Sequence, residues 1–130
     1  MHIDVHPNFE KDLDELWETN PRCAATLTVI LEAIQDDPRA LDKLTTYGEV
    51  QFGKNRVGVK NWKSIGVQRN IWRLRAFDSP ATNYRAIYGY HYQTKQLCVL
   101  AVVNKDEFDY DDHDSDIVQR IINDWCVITS

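Results

Sequence analysis

Arg73 and Arg75, in the segment Ile71-Trp72-Arg73-Leu74-Arg75-Ala76, are the residues best spaced to do chemistry together. A strand has a period of two, so both arginines fall on one face while Trp72 and Leu74 point to the other. In Tyr84-Arg85-Ala86-Ile87-Tyr88-Gly89-Tyr90-His91-Tyr92 the same alternation groups Arg85 with Ile87, Gly89 and His91, opposite the four tyrosines. Pairing of these strands through a turn at residues 78–82 would bring Arg85 to Arg73 and Arg75. Three guanidinium groups on one face repel each other unless an anion or carboxylates join them, and the planar guanidinium fork bonds two phosphate oxygens at once. A phosphate site is the sharper expectation. The alternative is that the arginines pair with the acidic helices or with the acidic loop at 106–114.

Other chemistry-bearing residues point less firmly. The tyrosine stripe suits base stacking with single-stranded RNA, although such a stripe more often serves as sheet core. Asp109, Asp111 and His113 alternate like the first ligands of an EF-hand, but that loop needs Gly at its sixth position and Glu at its twelfth, where this chain has Asp114 and Arg120. Solvation and helix capping account for those carboxylates. His2, His6 and His91 show no metal-ligand spacing with one another. Cys23, Cys98 and Cys126 form no CxxC pair, and Cys98 and Cys126 read as small core hydrophobes. There is no GxSxG, P-loop or GxGxxG signature.

The net charge of −5 conceals a segregation. Residues 1–42 hold ten acidic against three basic residues, and residues 97–130 hold eight against two. Residues 43–96 reverse the balance, with ten basic residues against Glu49 and Asp78. Such a strip is the electrostatic footprint of a phosphate-bearing or acidic partner.

The elements that must position these residues follow from periodicity. With 130 residues and 43% hydrophobic content, one domain over residues 1–130 is expected. His2–His6 alternates as a short strand ending at Pro7, and Asn8 is a candidate cap for the next helix. Phe9, Leu13, Leu16 and Trp17 mark an acidic amphipathic helix, broken at Asn20-Pro21. Ala24, Leu27, Ile30, Leu31 and Ile34 mark a second helix, ending near Asp36-Asp37-Pro38. A variable stretch leads to a strand around Val57 and Val59. Residues 70–77, 83–92 and 96–104 are three further strands, the second and third joined by a turn at Thr94-Lys95. Leu97–Val103 is apolar on both faces, as a central strand should be. Asp114 or Ser115 can cap a last helix carrying Ile117, Val118, Ile121, Ile122 and Trp125. The expected fold is α+β: an N-terminal strand and helical hairpin packed on a small antiparallel β-sheet, with a C-terminal helix. No stretch is long and apolar enough to span a bilayer and the N-terminus has no signal-peptide pattern, so a cytoplasmic location is expected.

Asp4-Val5-His6-Pro7, Asp37-Pro38, Ile71-Trp72-Arg73-Leu74-Arg75, Tyr84-Arg85-Ala86-Ile87-Tyr88 and Val102-Val103-Asn104-Lys105-Asp106-Glu107-Phe108 together resemble the RelE/ParE toxin superfamily, along almost the whole chain. The resemblance implies the toxin of a type II toxin–antitoxin pair. Its implied partners are a cognate antitoxin, the ribosome and mRNA, with a homodimer or a hetero-oligomer with the antitoxin as the assembly. For the RelE branch it implies cleavage of mRNA in the ribosomal A site, with no metal or other cofactor. Arg73 matches the family's basic strand residue and Arg85 the arginine of its YR motif, so both would stabilise phosphate. The family's late catalytic Tyr or His matches Tyr110 or His113. Lys60, Lys63, Arg69, Arg75 and Lys105 would bind RNA. Where RelE-like toxins usually carry a basic residue after the strand, this chain has Lys105 followed by Asp106 and Glu107. Two other readings accompany the nuclease: a ParE-like inhibitor that binds DNA gyrase, and a non-catalytic regulatory module of the same fold.

Overall fold

The computed structural model describes residues 3–130. Its centre is a six-stranded sheet in the order β1-β6-β5-β4-β3-β2. The strands are β1 (Ile3–Val5), β2 (Gly48–Phe52), β3 (Asn55–Asn61), β4 (Ile71–Ala76), β5 (Tyr84–His91) and β6 (Gln96–Asn104). The helices are α1 (Pro7–Thr19), α2 (Pro21–Gln35), the short α3 (Ala40–Leu44) and α4 (Asp116–Thr129), with two 3-10 turns at Lys63–Ile65 and Val67–Arg69. The α+β arrangement holds.

Side-chain alternation divides the interior into two cores. On one face, Val57, Val59, Leu74, Ala86, Tyr88, Leu97 and Val99 meet Phe9, Leu16, Leu27 and Ile30 of the α1–α2 hairpin. On the other, Ile71, Ile87, Cys98, Leu100, Ala101 and Val103 meet Trp62, Phe108 and the α4 residues Val118, Ile121 and Trp125. Strand β6 is buried on both faces, as a central strand should be. It also carries a bulge: Ile87 pairs with Ala101 and Tyr88 with Val99, which leaves Leu100 as the extra residue. Leu100 and Ala101 consequently share one core.

Several expectations are corrected. The sheet is mixed, because β1 runs parallel to β6 with Ile3 opposite Leu97. His2, at the start of the expected first strand, lies outside the described residues. Asn8 is not the cap of α1. The His6 side chain accepts the Asn8 N–H at 3.0 Å, Pro7 takes the first helical position, and the Asn8 amide donates to Asp124 at 2.8 Å. The variable stretch contains β2, an edge strand that buries only Phe52. Cys98 is buried but Cys126 is exposed, one helical step beyond the buried Trp125. The tyrosine stripe is largely core: Tyr88 is buried, Tyr84 and Tyr90 pack beside it, and Tyr92 lies past the strand end at 70% exposure.

Strand β1 is only three residues long, so the outer edge of β6 beyond Val99 has no strand partner. Side chains complete it. Asp12 of α1 accepts the Val102 N–H at 3.1 Å and both terminal nitrogens of Arg120 at 2.9 and 2.7 Å, and Arg120 donates to the Leu100 carbonyl at 3.3 Å. One ion pair thus covers the open ladder and ties α1 to α4. Among the described residues no helix is long and apolar enough to cross a membrane.

A candidate phosphate-binding groove on the sheet

The arginines share the α4 face of the sheet, beyond the part that α4 covers. Register places Arg75 directly opposite Arg85 on one side and Gly58 on the other, while Arg73 faces Ile87 and Lys60. Like charges directly opposite one another weaken a sheet by about 0.2–1 kcal/mol per pair, so this row needs an external reason or a counter-ion. Among the described residues no carboxylate lies within 4.0 Å of Arg73, Arg75 or Arg85. The alternative, pairing with the acidic helices or with the 106–114 loop, forms no ion pair at that distance, although Asp106 of the loop is near enough to Arg85 to raise its pKa. Asp12 of α1 instead holds Arg120, and Asp37, in the turn between α2 and α3, holds Lys43.

Each arginine is held differently. Arg85 is buried at 5% exposure, and its terminal nitrogen donates to the carbonyls of Thr82 at 2.8 Å and Tyr84 at 3.1 Å. Burial pushes its pKa down; Tyr110 acts in the opposite direction, and Arg73 and Arg75 lower it further. The Arg75 guanidinium stacks on the Phe77 ring at 4.9 Å, and its buried Nε has no partner. Phe77 can lie there because Gly58 leaves room: a Cβ at that position would stand 2.9 Å from the ring. Arg73 lies over the Tyr110 ring at 5.6 Å.

Tyr110 is fixed by an aromatic cluster. Its ring meets Phe108 edge-on at 4.7 Å and Trp62 at 5.2 Å, and Trp62 in turn meets Phe108 at 5.5 Å. The Trp62 indole N–H and the Ser64 hydroxyl each donate to the Tyr110 carbonyl at 3.1 Å. The Tyr110 hydroxyl is buried with no partner. Burial raises its pKa above 10.0, with Arg73 and Arg85 pulling the other way. At neutral pH the phenol is therefore a protonated group with an unused donor, set beside cations.

Two adjoining cavities open over this row. One, of about 370 Å³, is lined by Lys60, Arg73, Arg75 and Phe77; the other, of about 500 Å³, by Lys60, Lys63, Ser64, Arg73 and Tyr110. Tyr47, Lys60 and Arg73 belong to both, so the two are halves of one groove. No protein-family model, no curated protein and no solved structure matches this chain. The chemistry of the groove rests on its own residues.

Of the nine candidate residues, the structure gathers Lys60, Lys63, Arg73, Arg75 and Tyr110 along the groove, with Arg85 buried beneath. His113 stands behind it, its Nε2 3.2 Å from Ser64 Oγ. Arg69 lies elsewhere: it donates to the Ile65 carbonyl and reaches Cys126, in a separate hollow with His91 and Trp125. Lys105 is exposed in the turn after β6 and lines neither half. Tyr47, Trp62, Ser64, Phe77 and Phe108 were not legible as site residues; only their contacts across the fold reveal them. Among the described residues no three His, Cys, Asp or Glu side chains gather as a metal-ligand set.

Proposed function

We propose that this protein is the toxin of a type II toxin–antitoxin pair, acting in the cytoplasm as a metal-independent, ribosome-dependent mRNA endonuclease that stops translation. The observation that supports this reading best is the arginine row, which forms no ion pair within 4.0 Å among the described residues, beside the buried, unpartnered Tyr110 hydroxyl. In this chemistry the ribose 2′-oxygen attacks the adjacent phosphorus and the bond to the 5′-oxygen breaks, giving a 2′,3′-cyclic phosphate and a 5′-hydroxyl end. Negative charge grows on the non-bridging oxygens, where Arg73 and Arg75 supply preorganised donors and Arg85 adds positive charge from below. Tyr110 gives its proton to the leaving 5′-oxygen, and the proton lost by the 2′-hydroxyl restores the phenol. Lys60 and Lys63 hold the flanking backbone. His113 acts through Ser64 on the Tyr110 carbonyl, away from the reacting atoms.

Expression without an antitoxin should arrest growth and produce new transcript ends within ribosome-bound messages. Arg73→Ala should reduce cleavage by about 10²–10³-fold, the usual loss for one donor to a developing oxyanion. Arg85→Ala should do the same, with circular dichroism checking that the buried site still folds. Undiminished toxicity in folded forms of both variants would overturn the proposal. Growth arrest with DNA damage and intact transcripts would point instead to binding of DNA gyrase.

A further inference from the structure

Tyr47 is a large aromatic side chain with 73% of its surface exposed, at the groove it shares with Lys60 and Arg73. It sits in the turn between α3 and β2, just before Gly48, whose φ of +133° redirects the backbone into the strand. That backbone angle is one that side-chain-bearing residues rarely adopt, so the turn is committed at this point. Because Gly48 pairs with Val59, the register continues to Tyr47 beside Lys60. Tyr47 lines both halves of the groove together with Lys60 and Arg73. Burial in the fold therefore does not explain the ring. Its neighbours in the groove are cations, and the acidic Glu49 and Asp111 each line only one half.

We propose that Tyr47 is the stacking platform for a single-stranded nucleobase, that of the nucleotide whose phosphate is held between Lys60 and Arg73. The inference rests on the nucleic-acid reading above and adds a base subsite to it. A flat ring exposed next to paired cations suits a nucleotide, since one part takes the π-face and the other the phosphate. Every base has such a face, so Tyr47 contributes affinity at this position with little preference for sequence.

The test uses the full chain and two uncleavable probes in low salt: a 2′-O-methyl RNA trinucleotide, and an abasic trimer of the same backbone and phosphate number. Wild type, Tyr47→Phe, Tyr47→Ala and Arg73→Ala are titrated with each by calorimetry. Tyr47→Ala should weaken the trinucleotide by about tenfold and leave the abasic trimer unchanged, while Tyr47→Phe stays within about twofold of wild type. Arg73→Ala should weaken both probes. Equal loss of both probes in Tyr47→Ala, no loss of either, or no trinucleotide binding by wild type would overturn the subsite. So would an acidic peptide whose binding depends on Tyr47 when trinucleotide binding does not. Absence of transcript cleavage in cells, with the base-dependent loss intact, would remove the nuclease and leave the subsite standing. Transcript cleavage with Tyr47→Ala binding both probes as wild type does would remove the subsite alone.

Discussion

Tyr110 separates stability from chemistry in a way one substitution can read. Its hydroxyl is buried without a hydrogen-bond partner, and removing an unsatisfied buried polar group is close to neutral for folding or slightly favourable. Tyr110→Phe should thus unfold in urea at the wild-type midpoint or above it, while cleavage falls by about 10²–10⁴-fold, the range for a lost general acid. The pH dependence has a defined sign. Burial raises the phenol's pKa above the ordinary 10.0 despite Arg73 and Arg85, so the acid form persists throughout the neutral range. Rates limited by this proton should fall only as pH climbs beyond 10.0. A loss of activity between neutrality and that value that is also present in Tyr110→Phe belongs to another group. The arginines were legible because strand alternation is strict and the turn at 78–82 returns the chain directly. Trp62 and Phe108 were not, since they lie in segments without periodicity and meet only through the fold. Cys126 could have been placed correctly: it follows Trp125 by about 100° around a helix whose buried face is already occupied.

At the scale of elements, the short β1 makes the Asp12–Arg120 pair a structural part of the sheet. Both side chains are largely buried, at 15% and 28% exposure, and the Val102 N–H depends on the same carboxylate. Asp12→Ala strips the bidentate carboxylate from a half-buried guanidinium, which keeps only the Leu100 carbonyl and the more distant Asp124, and leaves the Val102 edge amide without its acceptor, so it should lower unfolding free energy by about 2–4 kcal/mol in urea titrations. Arg120→Met, which keeps the stem and removes the charge, should cost less when combined with Asp12→Leu than the single changes suggest. An unchanged midpoint in Asp12→Ala would mean that α1 needs no such tie. Helices α1, α2 and α4 and strands β4, β5 and β6 were readable from apolar spacing to within about two residues at most ends. Strand β2 was not, because an edge strand that buries only Phe52 has almost no apolar alternation to detect. Nor was the parallel pairing of β1, whose partner β6 stands more than ninety residues later; no local pattern encodes the direction of so distant a contact.

Across the whole molecule, an otherwise acidic protein sets a row of cations along one sheet face. The sequence strip of ten basic residues is not one surface: Lys43 pairs with Asp37, Arg56 with Asp78, and Arg69 faces the far end of β5. Lys60, Lys63, Arg73 and Arg75 remain along the groove, enough to neutralise about three phosphates. Binding of single-stranded RNA should therefore weaken with salt at a logarithmic slope of about −2, whereas a strip acting as one surface would give a slope several times steeper. A fluorescence-polarisation series across ionic strengths distinguishes these, and Lys60→Ala should lower the slope by roughly one phosphate's share. Segment charge pointed to the stretch that forms the groove but overstated its extent, because counting along the chain ignores which side chains find carboxylates once folded.

The bulge in β6 has a further consequence for the length of the chain. Leu100 has no opposite number in β5, so this strand carries one residue more than its ladder requires. Deleting that residue would leave every remaining side chain of β6 on the face it now occupies. Deleting Ala101 instead would do the same, with Leu100 taking its place on the same face, whereas deleting any other residue from 97 to 103 would close the bulge only by making those between the cut and the bulge trade sides. The strand separating the two cores can thus be shortened without exchanging their contents only at the Leu100-Ala101 pair, and it is there that Arg120 of α4 finds the Leu100 carbonyl.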